Sequence, residues 1–82
     1  MVQIWKRSRL DKIRFFSASQ KNALWIRCKG KCELCRIGLV PYIGQENSAE
    51  ADHIVAWVNY GKTVMSNGQM LCKRCNRDKG SK

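Results

Sequence analysis

Two Cys-x-x-Cys pairs in a chain of only 82 residues constrain the fold more than any other feature. A domain of this length buries too little apolar surface to be comfortably stable without a crosslink or a bound metal. Cys32 and Cys35 are separated from Cys72 and Cys75 by 36 residues, which is enough for the chain to return. Each pair can then supply half of a tetrahedral site, so the pattern predicts a structural zinc ion bound by four thiolates.

The same cysteines allow other interpretations. Disulfides are typical of secreted chains, but residues 1–9 lack the apolar core of a signal peptide and no stretch is long enough to cross a bilayer. We therefore expect a cytoplasmic, reducing location without membrane association. A rubredoxin-like iron site is disfavoured by the basic surface, and a redox dithiol pair by the absence of a βαβ pattern. Cys28, the fifth cysteine, is interpreted as a small buried hydrophobe, with competition for the metal as the alternative.

The formal net charge of +10, from 16 Lys+Arg and 6 Asp+Glu, favours a polyanionic partner. Residues 1–31 carry nine of the basic side chains and residues 72–82 carry five. The segment 32–71 holds four of the six acidic residues, where a cation could be bound. The basic residues predicted to contact nucleic acid are Lys6, Arg7, Arg9, Arg14, Lys73, Arg74, Arg77 and Lys79.

Residues 1–16 mix basic side chains with large apolar ones, and we interpret them as a basic N-terminal arm or short helix. The alternative is a partly ordered extension that only adds solubility. Residues 17–82 would form the folded domain. No repeat and no linker interrupts it.

Local patterns predict an α+β order within that domain. Ser17 to Gln20 form a capping box before a helix whose Leu24, Trp25 and Cys28 face the core. The predicted elements are a helix over 21–28, a strand over 49–55, an irregular loop over 56–66, a strand over 67–71 and a helix over 72–79.

In the last helix, Cys72, Cys75, Asn76 and Lys79 would lie within an arc of about 100°. One face would therefore carry two thiolates, an amide and an ammonium group. Two zinc ligands and a second kind of ligand, the amide, would then lie on the same short helix.

The order of these residues resembles the HNH endonuclease family. The shared pattern is Cys-x-x-Cys, then Asp52-His53-Ile54, then a middle Asn67, then Leu-Cys-x-x-Cys-Asn with a lysine three residues later. It covers about residues 17–80 and is far more specific than either cysteine pair alone. The resemblance implies the ββα-metal (HNH) fold, here a small zinc-stapled domain with an N-terminal basic arm and helix.

The resemblance also implies roles for four residues. His53 would be the general base, and Asn67 would pin the loop that orients it. Asp52 and Asn76 would bind a catalytic Mg²⁺ or Mn²⁺. Elementary chemistry agrees, because a neutral imidazole can accept a proton near neutral pH and hard oxygen ligands suit these ions.

Three positions depart from the family pattern. Ala56 stands where proline is common, Gly61 replaces a glycine pair, and Asn76 replaces the last histidine. The first two affect the expected loop conformation. The third replaces an imidazole nitrogen with an amide oxygen, which favours Mg²⁺.

The predicted function is therefore a metal-dependent DNA endonuclease, making nicks or double-strand breaks with low intrinsic sequence specificity. Dimerisation or a larger nuclease assembly would add specificity. The alternative, from a different functional class, is a non-catalytic zinc-binding adaptor for nucleic acid.

Overall fold

The computed structural model describes residues 9–81. Two 3₁₀ turns lie between the strands. The helices and strands, in chain order, are α1 (Ala18–Cys28), β1 (Ala49–His53), β2 (Gly68–Cys72) and α2 (Lys73–Lys79). The order β1, β2, α2 confirms the predicted α+β class with a strand–strand–helix unit.

Helix α1 begins at Ala18 because Ser17 is its N-cap. The Ser17 Oγ accepts a hydrogen bond from the Gln20 N–H at 3.0 Å, and the Gln20 Oε1 accepts one from the Ser17 N–H at 2.8 Å. This reciprocal capping box satisfies amide groups that a helix start leaves unpaired. The predicted helix, starting at Lys21, was three residues too short, because the residues inside the box already form its first turn.

The two strands pair antiparallel, with Ala49 opposite Cys72 and His53 opposite Gly68. Strand β1 ends at His53, two residues before the predicted end. The strand ends early because the Val55 N–H donates to the Asn67 Oδ1 at 2.9 Å instead of to a backbone carbonyl of the neighbouring strand.

The core lies between α1, the cysteine-containing turn and β2. Leu24 and Leu71 are fully buried at its centre. The predicted core positions on α1 are confirmed, since Leu24 and Cys28 are buried and Trp25 packs against them. The Cys28 Sγ lies 3.2 Å from the Trp25 carbonyl oxygen and takes no part in the cysteine cluster described below.

Part of the predicted N-terminal arm is joined to the folded body. Residues 9–16 form neither helix nor strand, and Phe16 is buried in the core. The rest of the arm, including Lys6 and Arg7, lies outside the described residues. Among residues 9–81, no helix combines the length and apolar character needed to cross a membrane.

Candidate functional site

The four cysteines of the two Cys-x-x-Cys pairs come together in one cluster. Their Sγ atoms all lie within 4.8 Å of one another, and those of Cys35 and Cys72 are 3.8 Å apart. Within each pair, the N–H of the second cysteine points at the sulfur of the first, at 3.5 Å from Cys35 to Cys32 and 3.3 Å from Cys75 to Cys72. The cluster could therefore hold a metal ion.

The crowded thiols differ in how easily they ionise. Burial disfavours the Cys32 thiolate, but backbone N–H groups, chiefly that of Cys35, lower the pKa of Cys32 to about 6. Hydrogen bonds with the thiols of Cys72 and Cys35 raise the pKa of Cys75 to about 12. A divalent cation would stabilise all four thiolates, so metal binding would be coupled to the release of protons.

A surface cleft beside the sheet brings together Asp52, His53 and Asn76. Glu50, which the sequence analysis did not assign to the site, lines the same cleft. Glu50 and Asp52 are two residues apart on β1, so their side chains leave the same face of the strand. Three of the four residues with predicted catalytic or cation-binding roles thus line one cleft.

The His53 ring is held from two sides. It packs against the Phe16 ring with 4.6 Å between centroids and a tilt of 33° between the ring planes, and its Nε2 lies 2.8 Å from the Thr63 Oγ1. Partial burial lowers the pKa of His53 below its usual value, while the Asp52 carboxylate opposes this shift and the Lys79 ammonium adds to it. The neutral imidazole is therefore favoured at neutral pH.

Asp52 is tied to both neighbouring elements through one oxygen. Its Oδ2 accepts a hydrogen bond from the Gln69 Nε2 at 3.0 Å and pairs with the Lys79 Nζ at 3.1 Å. The Lys79 Nζ also donates to the His53 carbonyl oxygen at 3.0 Å. With its side chain only 12% exposed, Lys79 links α2 to the end of β1 inside the site.

Asn76 projects from α2 towards β1. Its Nδ2 donates a hydrogen bond to the Glu50 Oε1 at 2.7 Å. An amide that donates through Nδ2 still offers Oδ1 as an acceptor or a metal ligand. Because Asn76 follows Cys75 directly, the cysteine cluster and this amide share one turn of helix.

Asn67 ties together the loop that follows His53. Its Oδ1 accepts from the Val55 N–H at 2.9 Å, and its Nδ2 donates to the carbonyl oxygens of Val55 and Lys62 at 3.1 and 2.9 Å. One side-chain amide thus bonds to backbone groups at both ends of the loop. The exit of the chain from β1 is thereby restrained.

Gly61, in the same loop, has no room for a side chain. A Cβ there would lie 1.7 Å from the Val55 carbonyl oxygen and 2.9 Å from the Asn67 Nδ2. We expect Gly61→Ala to displace the loop and to lower stability by at least the roughly 1–3 kcal/mol typical of overpacking. Thermal melting would measure the loss, and the side-chain amide resonances of Asn67 would report the broken hydrogen bonds.

Gly38→Ala is the matched control, because a Cβ at Gly38 meets nothing within 4 Å. It should melt close to wild type. Equal melting temperatures for the two variants, with the Asn67 amide unchanged, would contradict the tight packing of the loop around Gly61.

The carboxylates of segment 32–71 divide into two groups. Glu33 pairs with Arg27 at 2.7 Å, and Glu46 pairs with Arg77 at 3.4 Å. Only Glu50 and Asp52 line the cleft. The expectation that this acidic segment as a whole surrounds a cation is therefore too broad.

The predicted nucleic-acid contacts lie in different surroundings. The Arg14 guanidinium lies over the Trp57 ring at 4.6 Å and lines the cleft. Lys79 is engaged inside the site, and Lys73 is half-buried. The predicted contacts with exposed side chains in the described part of the chain are Arg9, Arg14, Arg74 and Arg77.

Sequence reasoning missed three residues that shape the site. Glu50 could have been found, because a second acid two positions before Asp52 on a strand shares its face. Phe16 and Thr63 contact His53 from distant parts of the chain, and neither belongs to a recognisable pattern. Their proximity to His53 depends on the tertiary fold.

A family model described as HNH endonuclease matches residues 32–82, more than half of the chain. The match includes the four clustered cysteines and all four residues given catalytic or cation-binding roles by the resemblance. Helix α1 and Phe16 lie outside it. No curated protein and no solved structure matches the chain significantly.

Proposed function

The chain belongs to the HNH endonuclease family, and on that basis we propose that it is a metal-dependent DNA endonuclease with low intrinsic sequence specificity. The observation that carries the proposal is the shared cleft, which is lined by an imidazole, two carboxylates, an amide and the Arg14 guanidinium. A general base, hard ligands for a cation and a positive group for phosphate are what phosphodiester hydrolysis requires.

His53 is the general base in this proposal. A neutral imidazole can take the proton of a water molecule as the water attacks the phosphorus atom. The Phe16 ring and the Thr63 hydroxyl restrain the imidazole before substrate arrives. Such restraint lowers the entropic cost of reaching the reactive geometry. Asn67 would support His53 indirectly by holding the loop that follows it.

Asp52 and Asn76 would hold the catalytic cation, Mg²⁺ or Mn²⁺. Their carboxylate and amide oxygens fit these hard ions, and Glu50 offers a further carboxylate on the same wall. The contacts of Asp52 with Gln69 and Lys79 both use Oδ2, so Oδ1 would be the ligand atom. When bound, the cation would stabilise the negative charge that develops on the phosphate and leaving-group oxygens.

Zinc is the ion we assign to the four-cysteine cluster. Zn–S bonds of about 2.3 Å in a tetrahedron put neighbouring sulfurs about 3.8 Å apart. The Cys35 and Cys72 sulfurs are 3.8 Å apart. Soft thiolates suit zinc, whereas the oxygens of the cleft suit Mg²⁺, so the two sites would select different ions. Four protein ligands close the first site, which makes its role structural.

DNA would be bound mainly through its phosphates. The Arg14 guanidinium, which lies on the cleft wall, is well situated to contact a phosphate near the cleaved bond. Phosphate contacts fix position without reading base edges, so they give little sequence preference. Dimerisation or a larger nuclease assembly would supply any further specificity.

One observation favours the second candidate, a non-catalytic zinc-binding adaptor for nucleic acid. The Lys79 Nζ lies 3.1 Å from the Asp52 Oδ2, so an ammonium group occupies a position next to the predicted cation ligand. A permanent ion pair at this point would reduce the affinity for a second cation by charge repulsion. In the nuclease, the cation must be bound despite this ammonium.

Cleavage of supercoiled plasmid by the zinc-loaded protein separates the two candidates. We expect conversion to nicked or linear plasmid with added Mg²⁺ or Mn²⁺ and none without a divalent cation. Binding should be measured on the same samples by gel shift. A protein that binds the plasmid but leaves it supercoiled with every divalent cation tested would contradict the endonuclease and support the adaptor.

A further inference from the structure

The Thr63 hydroxyl lies next to one ring nitrogen of His53. Thr63 is only 6% exposed, and its Oγ1 lies 2.8 Å from the His53 Nε2. Thr63 belongs to the irregular loop between the strands and is not part of the family pattern. Only one hydrogen atom can lie between the hydroxyl oxygen and the ring nitrogen, and it belongs either to the hydroxyl or to the imidazole.

The other neighbours of this hydroxyl decide where its hydrogen goes. The Thr63 Oγ1 lies 2.5 Å from the Ile13 carbonyl oxygen and 3.4 Å from the Arg14 carbonyl oxygen. Carbonyl oxygens only accept, and a hydroxyl has one hydrogen to donate. That hydrogen is therefore directed to the backbone, and the hydroxyl oxygen must accept from the His53 Nε2–H.

A short N-terminal segment, residues 11–14, holds Thr63 in this orientation. The Asp11 Oδ2 accepts from the Thr63 N–H at 2.9 Å, while its Oδ1 accepts from the Ile13 N–H at 3.0 Å. The Trp57 Nε1 donates to the Asp11 carbonyl oxygen at 2.9 Å. The segment that carries the Ile13 carbonyl is thus anchored by the Asp11 carboxylate and the Trp57 indole.

We propose that Thr63 is a positioning residue, which fixes His53 as the tautomer with hydrogen on Nε2 and a lone pair on Nδ1. This inference rests on the proposed function and deepens it, because it names Nδ1 as the atom that accepts the proton of the attacking water. A neutral imidazole has a lone pair on one nitrogen only. The N-terminal segment, outside the matched family region, would then determine which nitrogen is the base.

Nitrogen-15 NMR tests the tautomer directly, because His53 is the only histidine in the chain. At a pH where the ring is neutral, the wild type should show Nε2 in the range of protonated ring nitrogens and Nδ1 in the range of lone-pair nitrogens. The opposite assignment would overturn the proposal without any variant. This measurement needs no cleavage.

Thr63→Val removes the hydroxyl and keeps a branched side chain of similar size. We expect mixed tautomers and cleavage lowered about 10-fold or more, the scale seen when a partner that orients a reactive group is lost. Thr63→Ser restores a hydroxyl and should recover both the tautomer and most of the activity. Zinc content and melting temperature check that the variants remain folded.

The outcomes separate this inference from the proposed function. A Thr63→Val variant with the wild-type tautomer and wild-type cleavage would overturn the role of Thr63, while leaving the endonuclease intact. A wild type that cleaves no DNA but shows hydrogen on Nε2 would contradict the endonuclease and support the tautomer assignment. If Thr63→Val fails to fold, the wild-type and Thr63→Ser spectra still decide the tautomer.

Discussion

Cys72→Ser should leave the chain unfolded under conditions in which the wild type is folded. The Cys72 sulfur belongs to the four-cysteine cluster, and it also accepts from the Cys75 N–H as the N-cap of α2. A structural zinc site contributes on the order of 10 kcal/mol or more, whereas a whole domain is stable by only about 5–15 kcal/mol. Circular dichroism, thermal melting and metal content would each register the loss.

Cys28→Ser is the matched control for this prediction. The same substitution is made at a buried cysteine outside the cluster, where a serine hydroxyl can still donate to the Trp25 carbonyl oxygen. It should keep one metal ion and a cooperative melt. A Cys72→Ser variant that melts like wild type, or wild-type protein that melts identically after chelation, would show that the cluster has no structural role.

The four-cysteine cluster lies next to a residue of the cleft, so we expect metal binding to affect the cleft as well as folding. Cys75 and Asn76 are consecutive residues of α2, and α2 follows β2 without a connecting loop. Any shift of the helix after metal loss would move Asn76 away from Glu50, to which it is hydrogen-bonded at 2.7 Å. Metal occupancy of the cluster should therefore influence the cleft even in states that remain partly folded.

Local sequence patterns predicted most of the elements. Ser17 and Gln20 make a capping box whose partners are three residues apart, and Cys72 to Lys79 follow a helical spacing. These patterns depend on residues within one helical turn of each other, so they can be recognised without knowledge of the fold. The ends of elements were less accurate, because β1 stops where a distant amide, that of Asn67, takes over its hydrogen bonds.

The surroundings of His53 could not be predicted in this way. Thr63 bonds to the Ile13 carbonyl oxygen across 50 residues and to Asp11 across 52. A single threonine in a polar loop has no periodicity, and Asp11 belongs to a segment that looks like a phosphate-binding arm. Side chains at such separations meet only after α1 and the sheet have packed, so tertiary contacts decide them.

His53→Ala should strongly lower cleavage while leaving the protein folded. If the imidazole is the general base, the rate should fall by roughly 10²-fold or more. His53 is half-buried and is not one of the four clustered cysteines, so zinc content should stay close to wild type, while the lost packing on Phe16 should lower the melting temperature without unfolding the protein. Measured in parallel, plasmid cleavage should fall in this variant while DNA binding stays close to wild type.

Asn76→Ala should also lower cleavage, but for a different reason. In the proposed mechanism the Asn76 amide is a ligand of the catalytic cation, and the loss of a ligand weakens metal affinity. Excess Mg²⁺ or Mn²⁺ should therefore recover part of the activity. Asn47→Ala is the matched control, because the Asn47 Nδ2 donates to the Gly38 carbonyl oxygen at 3.1 Å and neither residue lines the cleft.

Metal titration of the two variants separates a base from a ligand. Added cation raises the occupancy of a weakened metal site, but it cannot replace a missing proton acceptor. Cleavage by Asn76→Ala should therefore rise with cation concentration, and cleavage by His53→Ala should stay low throughout. If metal alone restored cleavage by His53→Ala, His53 would be a metal ligand rather than the general base. Wild-type rates in both variants would refute the catalytic assignment of this cleft.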